Sequence, residues 1–240
     1  MTYELNKTLM RNALTIMALV LSHIIIGQTI QEKIETEVCK CFVEQEPRFN
    51  ETNNLDVLDI CFDKPFVKLE SEIEAAIAKE IDTTASNAYE LGMEYGRKLF
   101  NDMQEGLVYN CDSYYNVMQG LRALMHKNMR RDITEQKLDS LSQLVSNAPK
   151  DDNLLWERGA HNLALDNIEA AKSDFKQCLE INPDNLVAKF FLGWSYDLNS
   201  EYEKAIPLYE ETINSTDDIG AFREIGKINL MVIRRMLKEQ

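Results

Sequence analysis

Side chains of matching character return at one fixed interval near the C-terminal end of this 240-residue chain. Laid over residues 189–217, residues 155–183 pair Gly159 with Gly193, Ile168 with Tyr202, Ala171 with Ala205, Phe175 with Tyr209 and Cys178 with Thr212, each pair 34 positions apart. A constant interval of this length marks a supersecondary unit that cannot bury its apolar face alone and stacks on its neighbours. The residue types fit helical hairpins. Small residues at 159, 171, 193 and 205 allow two antiparallel helices to touch, and the aromatics at 175, 202 and 209 fill the space between hairpins. Pro183 ends a second helix, and Asp184 or Asn185 supplies the cap for the next.

The remainder also reads as helical, because no segment sustains period-two alternation. Ile30, Ile34, Val38 and Cys41 recur at helical spacing, so a helix is expected over residues 29–42, followed by a polar loop over 44–54. A short helix or turn follows at 55–62. Asp63-Lys64-Pro65 then looks like a capped start, with Phe66, Leu69, Ile73, Ile77 and Ile81 on one face of a third helix. A fourth helix is expected over 88–107, where Gly92 and Gly96 suggest close approach of a neighbouring helix. Residues 113–129 and 133–146 form a further helical pair, and 221–237 a last helix without a partner, which would cap the stack.

At Arg158-Gly159, Leu192-Gly193 and Tyr196 the repeated segments resemble the tetratricopeptide family. The resemblance implies an all-α fold: an N-terminal helical domain followed by a short right-handed solenoid of helical hairpins. Asp217 stands where the family proline would close the second unit, and Asn162 where a tyrosine is usual in the first. Asn147-Ala148-Pro149 looks like a repeat ending, which leaves open whether residues 118–149 are a degenerate first unit. The expected organisation is a signal peptide over 1–27, a cysteine-bearing helical domain over 28–113, a helical pair over 114–150, and the repeats with their capping helix over 151–240.

The signal peptide rests on Lys7 and Arg11 ahead of an apolar run over 13–26, too short for a spanning helix of about twenty residues. A cut is expected near Gly27 to Thr29; an uncut segment would instead tether the chain to a membrane. Export makes the cysteines candidates for oxidation. Positions two apart on a helix point about 200° from each other, so Cys39 and Cys41 would find separate partners. Two structural disulfides among Cys39, Cys41, Cys61 and Cys111 are the leading reading, with a zinc site or a redox pair as alternatives. Cys178, at a small-residue position, is expected as a buried free thiol. The run Cys39-Lys40-Cys41 with Cys61 and Cys111 also resembles small exported helical domains of Gram-negative envelope proteins, which implies a periplasmic, envelope or secreted location.

A net charge of −14 and a pI near 4.7 argue against nucleic acid, whose phosphates call for clustered Lys and Arg. The three histidines are scattered and match no metal spacing, and there is no nucleophile elbow or phosphate loop. No catalytic residue, metal or cofactor is expected. The family resemblance implies binding of a protein or peptide along the concave side formed by the first helix of each hairpin. Carried over by position, that side holds Asn153, Trp156, Glu157, Ala160 and Leu163 from the first unit. The second unit adds Val187, Phe190, Phe191, Trp194 and Asp197, and the last helix Arg223 and Lys227. Trp156 and Ala160 occupy the places where the family's carboxylate clamp wants Lys and Asn, so that mode is not expected. The alternative is that Phe190 or Trp194 packs against the N-terminal domain. The leading function is an exported adaptor; the alternatives are a thiol redox protein and a membrane-tethered assembly factor.

Overall fold

A computed structural model describes residues 29–45, 54–82, 84–217 and 219–239. The expected signal peptide and the loop at 46–53 lie outside these residues. Among the described residues there are eleven α-helices and no strand: α1 Ile30–Gln45, α2 Asn54–Lys68, α3 Glu70–Glu80, α4 Ala88–Asn110, α5 Asp112–Met129, α6 Glu135–Asn147, α7 Asp152–Ala164, α8 Ile168–Ile181, α9 Leu186–Leu198, α10 Tyr202–Asn214 and α11 Ala221–Lys238. The fold is all-α and carries a helical repeat stack. None of the described helices is long and apolar enough to cross a membrane. The described residues form two compact units, one drawn from 29–42 and 58–104, the other from 43–45, 54–57 and 105–239.

In the first unit, Ile34, Val38 and Phe42 repeat every four residues along α1 and are buried, as one face of a helix should be. Phe62 meets Phe42 edge-on at 6.0 Å and Phe100 at 5.7 Å, and Cys41 is bonded to Cys61. Closing that 20-residue separation removes unfolded-chain entropy worth about 3 kcal/mol. Two expectations are corrected here. Pro65 does not begin a helix: it lies inside α2, and the break comes at Leu69, between α2 and α3. Cys61 and Phe62, fixed to α1 and α4, hold the turn before the proline in helical register, and the Leu69 amide still reaches the Pro65 carbonyl at 3.0 Å. Among the described residues no helix presses on the glycines of α4. A Cβ on Gly92 would meet only Ile81 at 3.7 Å, and one on Gly96 nothing within 4 Å.

The second unit contains the repeats. Hairpins α7–α8 and α9–α10 hold their helices in the same register 34 residues apart, and their ends match group for group. The Asp151 side chain caps α7 and the Asn185 side chain caps α9. Asp166 and Ser200 take the left-handed conformation, φ 63° and 58°, in the two turns. In each turn the next residue donates back into the first helix, Asn167 to the Asn162 carbonyl at 2.9 Å and Glu201 to the Tyr196 carbonyl at 2.8 Å. The helix crossings correspond too. Gly159 faces Phe175, and Gly193 faces Leu208 and Tyr209.

Both departures from the family pattern have local explanations. Asn162 is buried and donates to Asp174 at 3.0 Å, and Asp174 also receives Arg158. The second hairpin fills the equivalent places with Leu192, Tyr196 and Leu208. Where a proline would close the second unit at Asp217, the Arg223 guanidinium donates to the carbonyls of Ser215, at 2.8 Å, and of Asp217. Upstream, α6 keeps the 34-residue register of α8 and packs on α7. Helix α5 does not fold back on α6 as a hairpin partner, and instead contacts α7 and α11.

Candidate functional site

The first helices of the hairpins, α7 and α9, together with α11, present the side on which a groove is expected. Phe190 is its hub, with ring centroids 5.3 Å from Phe191, 5.7 Å from Trp194 and 5.0 Å from Phe222. Phe191 in turn stacks between Trp156, Phe175 and Trp194. Aromatic rings at these separations give a rigid apolar cluster. Of the residues expected on the groove, Leu163, Phe190, Phe191, Trp194 and Asp197 are buried, so they do not line an open channel. Trp156, Ala160, Val187 and Lys227 are half-buried, Glu157 and Asn153 are exposed, and Arg223 is committed to the loop after α10.

Helix α5 of the same chain lies on this side. Its Arg122 donates to Asn229 Oδ1 at 3.0 Å and pairs with Asp197. One turn on, His126 sits 6.2 Å from the Trp194 ring, edge-on, and 3.2 Å from the Leu163 carbonyl. A further turn on, Arg130 donates to Asp166 at 2.7 Å. Met125 and Met129 pack between these polar contacts against the aromatic cluster. At the other end Arg235 of α11 donates to the Val108 carbonyl at 2.7 Å, pairs with Asp112 and lies over the Tyr115 ring.

The Arg122 contact depends on a difference between the two repeats. Leu163 and Phe175 of the first hairpin become Asp197 and Tyr209 in the second. Tyr209 donates its hydroxyl to Asp197 at 3.2 Å and accepts from Asn229 Nδ2 at 3.0 Å. Burial raises the Asp197 carboxyl above its ordinary range, with Arg122 and Tyr209 pulling the other way. Burial, reinforced by the Asp197 charge, holds Tyr209 well above the usual tyrosine value, so it stays a hydroxyl donor. Arg122, Tyr209 and Asn229 were not expected as site residues. Their signal was the loss of apolar character at 197 and 209 within an otherwise matching repeat.

A tetratricopeptide-repeat model matches residues 161–185. No curated protein and no solved structure matches the chain. The tetratricopeptide match runs from the end of α7 through the left-handed turn at Asp166 and all of α8 to the Asn185 cap, and so contains the Asn162–Asp174 contact and the Leu163 carbonyl that His126 reaches.

Among the described residues no three His, Cys, Asp or Glu side chains are grouped to hold a metal ion. Cys39, Cys41, Cys61 and Cys111 are each disulfide-bonded, Cys41 to Cys61. Cys178 is buried and free. Burial, with the nearby Asp152 charge, pushes its thiol up to about 11, so the nucleophilic thiolate is scarce at neutral pH. Asn185 Nδ2 lies 3.5 Å from its sulfur, which places it as a packing residue beside a cap.

Proposed function

We propose that the chain is a non-enzymatic polypeptide-binding module which holds a partner segment along the side formed by α7, α9 and α11. Tetratricopeptide repeats mediate protein–protein interaction, and the match at 161–185 supports that use here. The observation that carries the reading is α5 itself. An amphipathic helix rests on this side through Met125, Met129 and Arg122, so the surface has the chemistry to hold one. Beside it Trp156, Val187 and Phe222 stay half-buried next to exposed Glu157 and half-buried Lys227, an aromatic ledge with charges at its rim of the kind that anchors partners.

We place the protein outside the cytosol, in a periplasm, cell envelope or extracellular space. The support is that four of the five cysteines are disulfide-bonded, a state that oxidising compartments maintain.

The test is retention of a polypeptide from envelope extract by the immobilised protein, compared with Val187→Asp. The expected result is loss of retention by V187D at a temperature where its helical circular dichroism shows it still folded. Equal retention by both proteins moves the binding off this side.

A further inference from the structure

We propose that the C-terminal half of α5 is a resident ligand, and that the partner replacing it is a basic amphipathic helix which brings its own arginine to Asp197 and Asn229. The inference deepens the polypeptide-binding reading and rests on it.

The two halves of α5 are held differently. Ser113, Tyr114, Tyr115, Val117 and Met118 are buried, and no residue of the helix beyond Met118 is. The first half is also clamped by Arg235, through Asp112 and the Tyr115 ring. From Leu121 to Met129 the inward side chains are half-buried. What holds this stretch is a ladder of basic groups one turn apart, Arg122, His126 and Arg130, meeting Asp197, the Leu163 carbonyl and Asp166. A segment with little apolar burial and a few polar ties belongs to the part of a structure that opens first.

The seat of Arg122 determines what can take its place. Asp197 is 5% exposed and Asn229 2% exposed. Tyr209 ties the pair together, and one donor group meets two acceptors, Asn229 Oδ1 and the Asp197 Oδ2 that it shares with the Tyr209 hydroxyl. Two acceptors on separate residues suit the planar fork of a guanidinium better than a single ammonium. Removing the cation alone would leave a buried carboxylate uncompensated, a heavily penalised state. Displacement therefore demands an exchange of one arginine for another. The apolar neighbours of the incoming arginine must sit three and seven residues on, as Met125 and Met129 do, so that they reach the aromatic cluster.

The probe is a fluorescein-labelled peptide of residues 112–131, titrated by anisotropy into the full chain and into Arg122→Ala. The vacated Asp197 should make R122A bind the peptide at least about tenfold more tightly than the wild type, and a peptide carrying lysine at position 122 should lose about tenfold. Equal affinity for both proteins, or no binding to R122A that keeps its helical circular dichroism, overturns the proposal. If R122A does not fold, amide exchange on the wild type decides. Residues 121–129 should exchange at least about tenfold faster than residues 113–118 and α9, and uniform protection along α5 overturns the proposal. Loss of retention by V187D together with a failed peptide exchange would leave the function standing and remove only this mechanism.

Discussion

Gly159 and Gly193 occupy the same place in successive hairpins, yet alanine should be tolerated at only one of them. A Cβ at 159 would stand 2.6, 2.9 and 3.0 Å from three ring atoms of Phe175. That ring is fully buried and stacked on Phe191 at 5.8 Å, so it has nowhere to swing. Overpacking of this kind costs about 1–3 kcal/mol, and three overlapping atoms place it in the upper part of that range. Replacing a helical glycine returns about 1 kcal/mol, so G159A should lose about 1–2 kcal/mol net. At 193 the nearest atoms are Leu208 Cβ at 3.3 Å and the Tyr209 ring at 3.4 Å. A shift of a few tenths of an ångström relieves them, and the helix gain offsets the cost to within about 0.5 kcal/mol. Thermal melts followed at 222 nm should show G159A about 2–8 °C below the wild type and G193A close to it. Phe175→Leu should remove most of the G159A penalty in a double-mutant cycle. Equal losses at both glycines, or an unchanged G159A, would refute the crossing geometry.

Trp194→Ala should lower stability by about 3–5 kcal/mol in urea unfolding, because the ring packs on Phe190, Phe191 and His126; a loss below about 1 kcal/mol would mean the side chain faces solvent. Gly96→Ala should raise stability by up to about 1 kcal/mol, since its Cβ enters open space on α4, and any destabilisation speaks against that placement. The Glu201 carboxyl is held down to about 2 by Lys172, Lys204 and Asn199. A depressed carboxylate stabilises above its unfolded value, near 4.5, and that contribution fades as the pH falls towards 2. Wild type should therefore lose more of its urea midpoint than Glu201→Gln between pH 4.5 and 2, and parallel profiles would contradict the contact. Thiol titration of unreduced protein should find one reactive group after unfolding and almost none before it, since Cys178 is buried; more than one would mean open disulfides.

The hairpins were legible because the contacts that build them are local and repeat. Gly159 with Phe175, and Gly193 with Tyr209, lie within one unit, so the spacing that brings them together is written twice. The cap at Asn185 follows from the same register. Pro65 misled because its neighbours' long-range ties, Cys61 to Cys41 and Phe62 to Phe42, outweigh the local preference for a helix start. The glycines of α4 carry no mark in sequence that separates close approach from empty space. The docking of α5 was hidden for a related reason. A helix outside the array shares no period with it, and only the pair Asp197 and Tyr209, polar where the first repeat has Leu163 and Phe175, betrayed a visitor.

The way α5 is fastened also sets a length. Its Arg122 is tied to the second hairpin at Asp197, and four residues later His126 is tied to the first at the Leu163 carbonyl. A helix rises about 6 Å over four residues, so these two fastenings require adjacent hairpins. The matching left-handed turns at Asp166 and Ser200 would let a duplicated cassette of residues 167–200 join the array in frame. Yet the Asp197 left beside the first hairpin would then be a full hairpin away from Tyr209 and Asn229, and Arg122 would have to release either Asp197 or Asn229. The helix thus acts as a ruler, limiting the array to the number of units it can span.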